Sequence, residues 1–360
     1  MKKLVLFIGA LLSVAAVSAE VPAEPVVKEV IVYRDKEVKF KPNGFVSLKL
    51  KYYGEMEEID YEHDGITNKH SRTEIAGIIN MTEKQMLEYR IRSYNDWNAN
   101  DSDHKGWDFT ETRLRWFYNH GKIKDTNINL TSRLHYIDNF DGLQEVQYEA
   151  QYEFADYIPS TENIKVTSFI LSPRYAYFWQ SNNDDYQNEL AFTIYSNTKL
   201  PWNFNLALNF YWQQRYYGKT KEWGVDKKRD DENLTFDMEL YLTNLTNLYT
   251  NGKHQIDFTL DSGFDDFTWS ENRQVHKKIE TVTAADGTKV EKVKREATDD
   301  HVDYKLYFRP GIQYTYNVTP MMKTFVLLEA EYSNFKYLNN SSVRDFRWEP
   351  MVTVGIRSAF

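Results

Sequence analysis

The chain has 360 residues, no cysteine and a net charge of −9 at pH 7, and 16% of its residues are aromatic. The acidic balance excludes a protein drawn to nucleic acid by its overall charge. The lack of cysteine excludes disulfides, thiolate chemistry and Cys-ligated metal, so stability has to come from burial or from a closed network of backbone hydrogen bonds.

The first segment, residues 1–19, reads MKKLVLFIGALLSVAAVSA. Two lysines precede an apolar run from Leu4 to Val17, and small residues end the segment at Ala19. This layout predicts a cleaved signal peptide, and the run is too short to span a membrane comfortably as a helix. Its removal would take the net charge to −11, because both lysines leave with it. Residues 20–42 contain three prolines among charged residues and valines, and we interpret them as a spacer.

From residue 43 onward the hydrophobic pattern has a period of two. In EVQYEAQYEF, residues 145–154, every second residue is apolar or aromatic and the others are Glu or Gln. The stretch NLTFDMELYL, residues 233–242, alternates in a similar way. Charges that recur at i and i+2 are typical of strands and not of helices.

Stretches of this kind predict about fourteen strands, near residues 43–53, 70–80, 84–95, 108–118, 126–138, 143–155, 163–179, 186–197, 202–213, 232–243, 253–264, 301–316, 322–336 and 346–360. The connections tend to alternate between long, charged ones (54–69, 96–107, 214–231, 265–300, 337–345) and short ones (81–83, 119–125, 198–201, 317–321). Two connections, 139–142 and 244–252, fit this alternation poorly. We therefore predict an all-β protein whose residues 43–360 form a transmembrane, up-and-down antiparallel β-barrel. A soluble exported β-sandwich is the alternative, since its strands also alternate.

Aromatic residues stand at the ends of one predicted strand. In WNFNLALNFYW, residues 202–212, Trp202 and Trp212 share a face with Phe and Leu. Ten residues of a tilted strand cover roughly 25 Å, which is about the height of an outer-membrane apolar band. The two tryptophans would then form part of an aromatic girdle at the two interfaces.

The last stretch, EPMVTVGIRSAF, predicts a closing strand that pairs with residues 43–53. Its outward residues would be Val352, Val354, Ile356 and Phe360, and its inward ones would include Thr353 and Arg357. Closure is expected because an unpaired sheet edge is not tolerated in lipid.

Three stretches resemble the FomA-like major outer-membrane porins of fusobacteria: EVIVYRDKEVKFKPNGFVSLKLKYYGE (29–55), MTEKQMLEYRIRSYN (81–95) and FADYIPS (154–160). The similarity runs from about Glu29 to Phe360 and is weakest in the long loops. The resemblance implies a non-specific, voltage-responsive porin of the cell outer membrane, a homotrimer that also serves as a surface adhesin. In such a barrel the short connections are expected to be periplasmic turns, the long ones extracellular loops, and residues 20–42 a periplasmic spacer.

The implied partners are the outer-membrane lipid bilayer, small polar solutes and ions, and host or bacterial surfaces that contact the loops. Phe360 resembles the aromatic end signal that the barrel-insertion machinery reads. We expect no cofactor, no metal and no nucleic acid. The alternative role is an outer-membrane adhesin with little or no channel activity.

Charged residues with inward parity fall into two groups. A basic wall comprises Arg90, Arg92, Arg113, Arg115 and Arg133, and an acidic wall comprises Asp237, Glu239, Asp257 and Asp261. In a fourteen-stranded barrel these groups lie on opposite sides, so one hypothesis is a transverse field across the lumen. The alternative is local pairing, in which Glu145, Glu149 and Glu153 neutralise the basic wall.

An outer-membrane barrel enzyme is the other class considered. It would need a Ser/His or Asp/His constellation, but His135 alone among the histidines lies inside a predicted strand with inward parity. Neither GxSxG nor HExxH occurs in the chain, so we expect no enzyme activity.

Two loops remain open to interpretation. The segment 265–300 contains ADGT, which predicts a hairpin turn; the loop could fold into the pore, bind a partner or be a mobile surface loop. The acidic segment 55–64 could bind a divalent cation, although such loops are more often solvated.

Overall fold

The computed structural model describes residues 40–54, 70–96, 109–139, 142–180, 183–224, 226–272, 275–283, 289–297, 301–334 and 346–360. The predicted signal peptide, most of the spacer and the acidic segment 55–64 lie outside these residues. The strands are β1 (Asn43–Tyr53), β2 (His70–Asn80), β3 (Gln85–Asp96), β4 (Phe109–Lys122), β5 (Asn129–Asp138), β6 (Leu143–Glu153), β7 (Lys165–Gln180), β8 (Asn183–Lys199), β9 (Phe204–Trp223), β10 (Lys228–Asn251), β11 (His254–Ser270), β12 (Val275–Thr283), β13 (Lys289–Ala297), β14 (Val302–Asn317), β15 (Met322–Asn334) and β16 (Phe346–Ala359). The described residues contain no helix long and apolar enough to cross a membrane.

Fourteen of these strands form one closed antiparallel barrel. Each strand pairs with its neighbours in the chain, β11 pairs directly with β14, and β1 pairs with β16 to complete the ring. Strands β12 and β13, which come between β11 and β14 in the chain, form a separate two-stranded sheet. The predicted fold class and strand number are confirmed.

The seam between the first and last strands continues to the last residue. The pairs run from Tyr53 with Met351 to Phe45 with Ala359. Beyond them, the Gly44 N–H donates to the Phe360 carbonyl and the Phe360 N–H donates to the Gly44 carbonyl, both at 3.1 Å. The closing strand predicted from EPMVTVGIRSAF is therefore confirmed, and no edge is left at the seam.

The barrel is inverted relative to a water-soluble protein, with apolar side chains outside and polar ones inside. On β16, Val354 is 50% exposed, whereas its neighbour Thr353 is 5% exposed. Other large apolar or aromatic residues on the exterior are Leu48, Leu50, Leu114, Leu134, Leu190, Phe192, Phe308, Ile312, Leu328, Val352 and Ile356. Buried polar residues include Lys51, Glu74, Arg133, Gln147, Glu149, Glu189, Gln213, Thr315 and Glu331. This division follows the period-two pattern of the sequence.

The barrel has two unlike ends. At one end, which we call the turn end, lie Asn43, Phe360 and the connections 81–84, 123–128, 154–164, 200–203, 252–253 and 318–321. At the other, which we call the loop end, lie the opposite ends of the strands, such as Tyr53, His70, Asp96 and Phe109.

Two predicted connections are strand in the structure. Residues 214–231 were expected to be a long loop, but β9 extends to Trp223 and β10 begins at Lys228. Residues 244–252 were expected to be a connection, but β10 continues to Asn251. The alternation is lost there because irregularities in register lie between Asp230 and Glu232 and between Asn247 and Tyr249.

Trp202 lies in a turn and not at the start of a strand as predicted. Trp202 and Asn203 both have a left-handed backbone, with φ of 57° and 62°. The Phe204 N–H donates to the Pro201 carbonyl at 3.3 Å, which closes a two-residue hairpin turn of the I′ kind. Trp202 is 84% exposed at the tip of this turn, and Trp212 is 61% exposed on the outer face of β9.

The predicted hairpin within residues 265–300 is present. Strands β12 and β13 pair from Val275 with Ala297 to Thr283 with Lys289. The ADGT residues themselves, 285–288, lie outside the described part of the chain. The hairpin follows β11, which continues to Ser270.

Candidate functional site: the charged lumen

The five arginines of the predicted basic wall lie side by side on β3, β4 and β5. Arg90 and Arg113 are direct partners in the register of β3 and β4. Arg115 is the register partner of His135, which lies two residues after Arg133 on β5. All five share the inner face, because the residues between them, such as Leu114 and Leu134, are exposed outside.

Each of these arginines forms an ion pair with a carboxylate on its own or a neighbouring strand. Arg92 lies 2.7 Å from Glu74, and Arg113 and Arg115 lie 2.6 and 3.4 Å from Glu88. The remaining pairs are Arg90 with Glu111 and Arg133 with Glu149.

Local pairing is therefore the arrangement found along the basic wall. Glu149 was anticipated in this role from its parity, but Glu74, Glu88 and Glu111 were not identified from the sequence. Their inward parity on β2, β3 and β4 was the available signal.

A second group of charged residues, which was not identified from the sequence, continues the ion pairs around the barrel. Glu189 on β8 accepts from Arg174 on β7 and, at 2.9 Å, from Arg215 on β9. Glu189 is 1% exposed and Glu149 is fully buried. We call Arg133, Glu149, Arg174, Glu189 and Arg215 the Arg–Glu cluster.

Side chains of the Arg–Glu cluster also extend over the neighbouring strands. The Arg133 guanidinium donates to the Tyr195 hydroxyl at 3.2 Å, although β5 and β8 are separated by two strands. Buried charges are tolerated only when paired and hydrogen-bonded. The side chains of the cluster therefore cover the inner face of β5–β9 and fix one another's positions.

On the acidic wall, Asp261 pairs with an arginine. Asp261 accepts from Arg309 at 3.1 Å and from the Tyr307 hydroxyl at 2.7 Å. Asp237 is the register partner of Tyr211 on β9 and of Thr268 on β11.

The other two predicted acidic residues are held by neutral donors. Glu239 accepts from the Tyr211 hydroxyl at 2.8 Å and from the Asn209 amide at 2.9 Å. Asp257 accepts from Asn247 at 2.9 Å and from Gln255 at 2.8 Å. These neutral donors do not cancel the charges of Glu239 and Asp257, whereas the basic wall is largely neutralised.

A cavity of about 660 Å³ lies in the lumen and extends from Phe45, near the turn end, to Lys51, toward the loop end. It is lined mainly by β1, β2, β3, β15 and β16, and it reaches Leu245 of β10. Its cationic residues are Lys49, Lys51, Arg72, Arg90, Arg92, Arg113, Lys323 and Arg357, and its carboxylates are Glu74, Glu88 and Glu329. Its apolar residues include Phe45, Ala76, Ile78, Phe325 and Leu327. The lining is therefore cationic and partly apolar, in a chain that is acidic overall.

The histidines do not assemble a hydrolytic site in the described part of the chain. His135 lies in the lumen between Arg115 and Gln147, at 3.5 and 3.2 Å. His120 contacts the Ser132 hydroxyl at 2.8 Å on the outer face, but the third group there is the Tyr148 hydroxyl and not a carboxylate. Among the described residues no cluster of His, Asp and Glu could hold a metal ion.

Comparison with known proteins gives distant structural likenesses only. No family model and no curated protein matches the chain. A bacterial polysaccharide outer membrane secretin is 10% identical with a TM-score of 0.38, over 88% of this chain and 98% of that one. The outer membrane channel DcaP of Acinetobacter baumannii is 11% identical with a TM-score of 0.38, over 89% and 96%. The Salmonella typhi OmpF complex with daunomycin is 11% identical with a TM-score of 0.35, over 89% and 98%. Likenesses at this level carry no argument about what the chain binds or transports.

Proposed function

We propose that this chain is an outer-membrane porin that allows passive diffusion of small hydrophilic solutes and ions. The observation behind the proposal is the inverted closed barrel, with an apolar exterior and a charged, hydrogen-bonded lumen. A closed barrel satisfies every backbone group of its strands without water, which is the condition for crossing a bilayer with strands.

The exterior fits a hydrocarbon environment. Leu48, Leu190 and Val354 are each about half exposed, with 48%, 54% and 50% of their surface uncovered. In water such a belt would drive aggregation, whereas in lipid it is the expected surface. The exposed tryptophans at Trp202 and Trp212 fit the interfacial positions that aromatic rings prefer.

The lumen fits a filter with no chemical step. The neutralised basic wall on β3–β5 and the acidic wall on β10 and β11 face each other across the ring, by their order in the barrel. The cationic cavity residues on β15, β16 and β1 add positive charge beside the basic wall. Such a field favours small polar solutes and penalises apolar ones.

We also propose that the chain is a FomA-like porin, exported by a cleaved signal peptide at residues 1–19 and assembled as a homotrimer. The support for this is the resemblance of residues 29–55, 81–95 and 154–160 to that family. In that arrangement the turn end is periplasmic, the loop end is extracellular, and the loops are available for adhesion.

Planar-bilayer recordings of the purified full-length protein test the proposal. We expect stepwise conductance that rises with salt concentration, as in a water-filled pore. Absence of conductance in a folded, membrane-inserted protein would overturn the porin proposal and favour the adhesin without a channel.

The contribution of the basic wall is tested separately. A variant with Arg90, Arg92, Arg113 and Arg115 changed to Gln should alter single-channel conductance and ion selectivity, since Glu88 and Glu111 would lose their partners. Unchanged conductance and selectivity would show that these arginines do not act on the ions in transit.

A further inference from the structure

We propose that the part of the lumen cavity nearest the turn end binds small organic anions with an apolar body, of which aromatic carboxylates are the simplest class. The binding groups would be Lys323, Arg357 and the rings of Phe45 and Phe325. This inference rests on the proposed porin function, because the ligand reaches the cavity as a solute in the lumen.

Two cations of the cavity stand directly opposite one another. Lys323 and Arg357 are partners in the register of β15 and β16, and both line the cavity. In the described chain neither has a carboxylate partner. Like charges at directly opposed positions of a sheet repel. An anion held between them would remove that repulsion.

Five of the other six cations of the cavity differ from this pair because each forms an ion pair with a carboxylate, and the sixth is Arg72. Lys49 and Arg92 share Glu74, at 3.0 and 2.7 Å. Lys51 lies 3.2 Å from Glu329. At the turn end of the cavity, Lys323 and Arg357 are therefore the cations that have no ion pair among the described residues.

The aromatic rings of Phe45 and Phe325 line the cavity together with the two cations. The Arg357 guanidinium carbon lies 3.7 Å from the centre of the Phe45 ring, within the range of a cation–π contact. Stacking on a ring leaves the in-plane N–H donors of the guanidinium available for a carboxylate.

Phe325 occupies space that a glycine provides. An ideal Cβ at Gly355 would lie 2.4 Å from the Phe325 ring, so any larger residue at 355 would displace the ring. Ala76, Ile78 and Leu327 complete the apolar lining.

The combination of free cations with apolar walls selects the ligand class. A small, strongly hydrated anion gains attraction to Lys323 and Arg357 but gains nothing from the rings. A carboxylate with an apolar body gains from both, because its body displaces water from the walls. A cavity of about 660 Å³ is within the range of small-molecule sites and larger than an inorganic anion needs.

The test measures block of the KCl current in planar bilayers by four probes: benzoate, acetate, inorganic phosphate and benzyl alcohol. We expect benzoate to reach half-block at a concentration at least about tenfold lower than any of the other three, since it alone supplies charge and ring together. If phosphate blocks at the same concentration as benzoate, the attraction of charge alone explains the block. If benzyl alcohol blocks at the same concentration as benzoate, apolar contact alone explains the block. Either result overturns the proposal.

Matched variants locate the site. The double variant Lys323→Gln/Arg357→Gln should raise the half-block concentration of benzoate at least about tenfold. The control Lys253→Gln removes one positive charge at the same end of the barrel, in the β10–β11 turn and outside the cavity lining. An equal effect of the control, or no effect of the double variant, overturns the assignment.

The failure of this inference can be told from failure of the porin proposal. Normal KCl conductance without preference for benzoate overturns the site alone. If the protein does not conduct, titration calorimetry of benzoate into the detergent-solubilised chain, compared with the double variant, decides the site on its own. Heat-modifiable migration on gels checks that each variant has folded as a barrel.

Discussion

Two regions of the lumen wall use arginine in opposite ways. In the Arg–Glu cluster on β5–β9, every guanidinium has a carboxylate partner and the central Glu189 is 1% exposed. On β15 and β16, Lys323 and Arg357 face one another without a carboxylate in the described chain. The same residue types thus serve structure in one region and remain available to solutes in the other.

The difference shows that inward parity alone does not make a charge functional. The opposite charges of a buried ion pair cancel for a distant solute. The pair mainly avoids the free-energy cost of burying a charge without a counter-ion. An unpaired cation that faces water exerts a field along the path of an ion. Four predictions, from the largest expected effect to the smallest, test this contrast.

The largest effect is expected where the cluster is broken. Glu189→Gln removes the carboxylate that pairs with the buried Arg174 and the partly buried Arg215, and should lower the free energy of unfolding by about 3–5 kcal/mol. Urea unfolding in liposomes, followed by tryptophan fluorescence, measures it. Glu222→Gln is the control, because its partner Arg229 is 75% exposed, and it should cost less than about 1 kcal/mol. Equal losses in the two variants would contradict a structural role for the cluster.

The contrast also assumes that both walls have hydrocarbon outside them. Val354→Arg places a charge on the outer face of β16 and should lower the free energy of unfolding by about 2–4 kcal/mol. Met321→Arg, in the exposed turn between β14 and β15, should change it by about 0.5 kcal/mol or less. If the two substitutions are equally mild in the same liposome assay, the outer face of β16 does not lie in lipid.

Ion selectivity tests whether an ion pair with a carboxylate cancels the effect of a lumen cation on passing ions. Glu74→Gln would free Lys49 and Arg92 in the cavity, and the anion-to-cation permeability ratio should rise roughly twofold to fivefold. The reversal potential under a KCl gradient at low ionic strength, where screening is weakest, measures this ratio. Glu222→Gln again serves as the control and should leave the reversal potential unchanged. No shift in Glu74→Gln would mean that the pairing of these cations does not influence ions in transit.

The smallest effect is expected from one ring. Phe45→Leu removes the ring against which Arg357 stacks, and should raise the half-block concentration of benzoate about twofold to fivefold. Conductance in KCl alone should stay the same. Phe308→Leu, which changes a ring on the outer face, should leave benzoate block unaffected. If Phe45→Leu and Phe308→Leu change the half-block concentration of benzoate equally, the effect does not come from a local contact of the Phe45 ring.

The alternation of the sequence was sufficient to predict the barrel. Val146 and Glu145 differ in polarity because they meet different surroundings, and this difference repeats along nearly every strand. The seam at Phe360 followed from the same pattern together with the intolerance of lipid for free edges.

The ion pairs could not be predicted to the same degree. Glu88 belongs with Arg113 and Arg115 only because the β3–β4 register places it opposite Arg115. Register depends on the turns and irregularities between strands, and those of β10 were not visible in the pattern. The sequence therefore identified which charges face inward but not which of them cancel.

The Gly44–Phe360 hydrogen bonds have a consequence for the order of folding. They join residues at opposite ends of the barrel sequence, so the ring cannot close until its last strand has been synthesised. Before that moment β1 and the most recent strand both present unpaired edges, which are templates for association with other chains. Contacts of such long sequence separation also form slowly. The edges of the partly formed barrel therefore stay open to association with other chains until β16 pairs with β1.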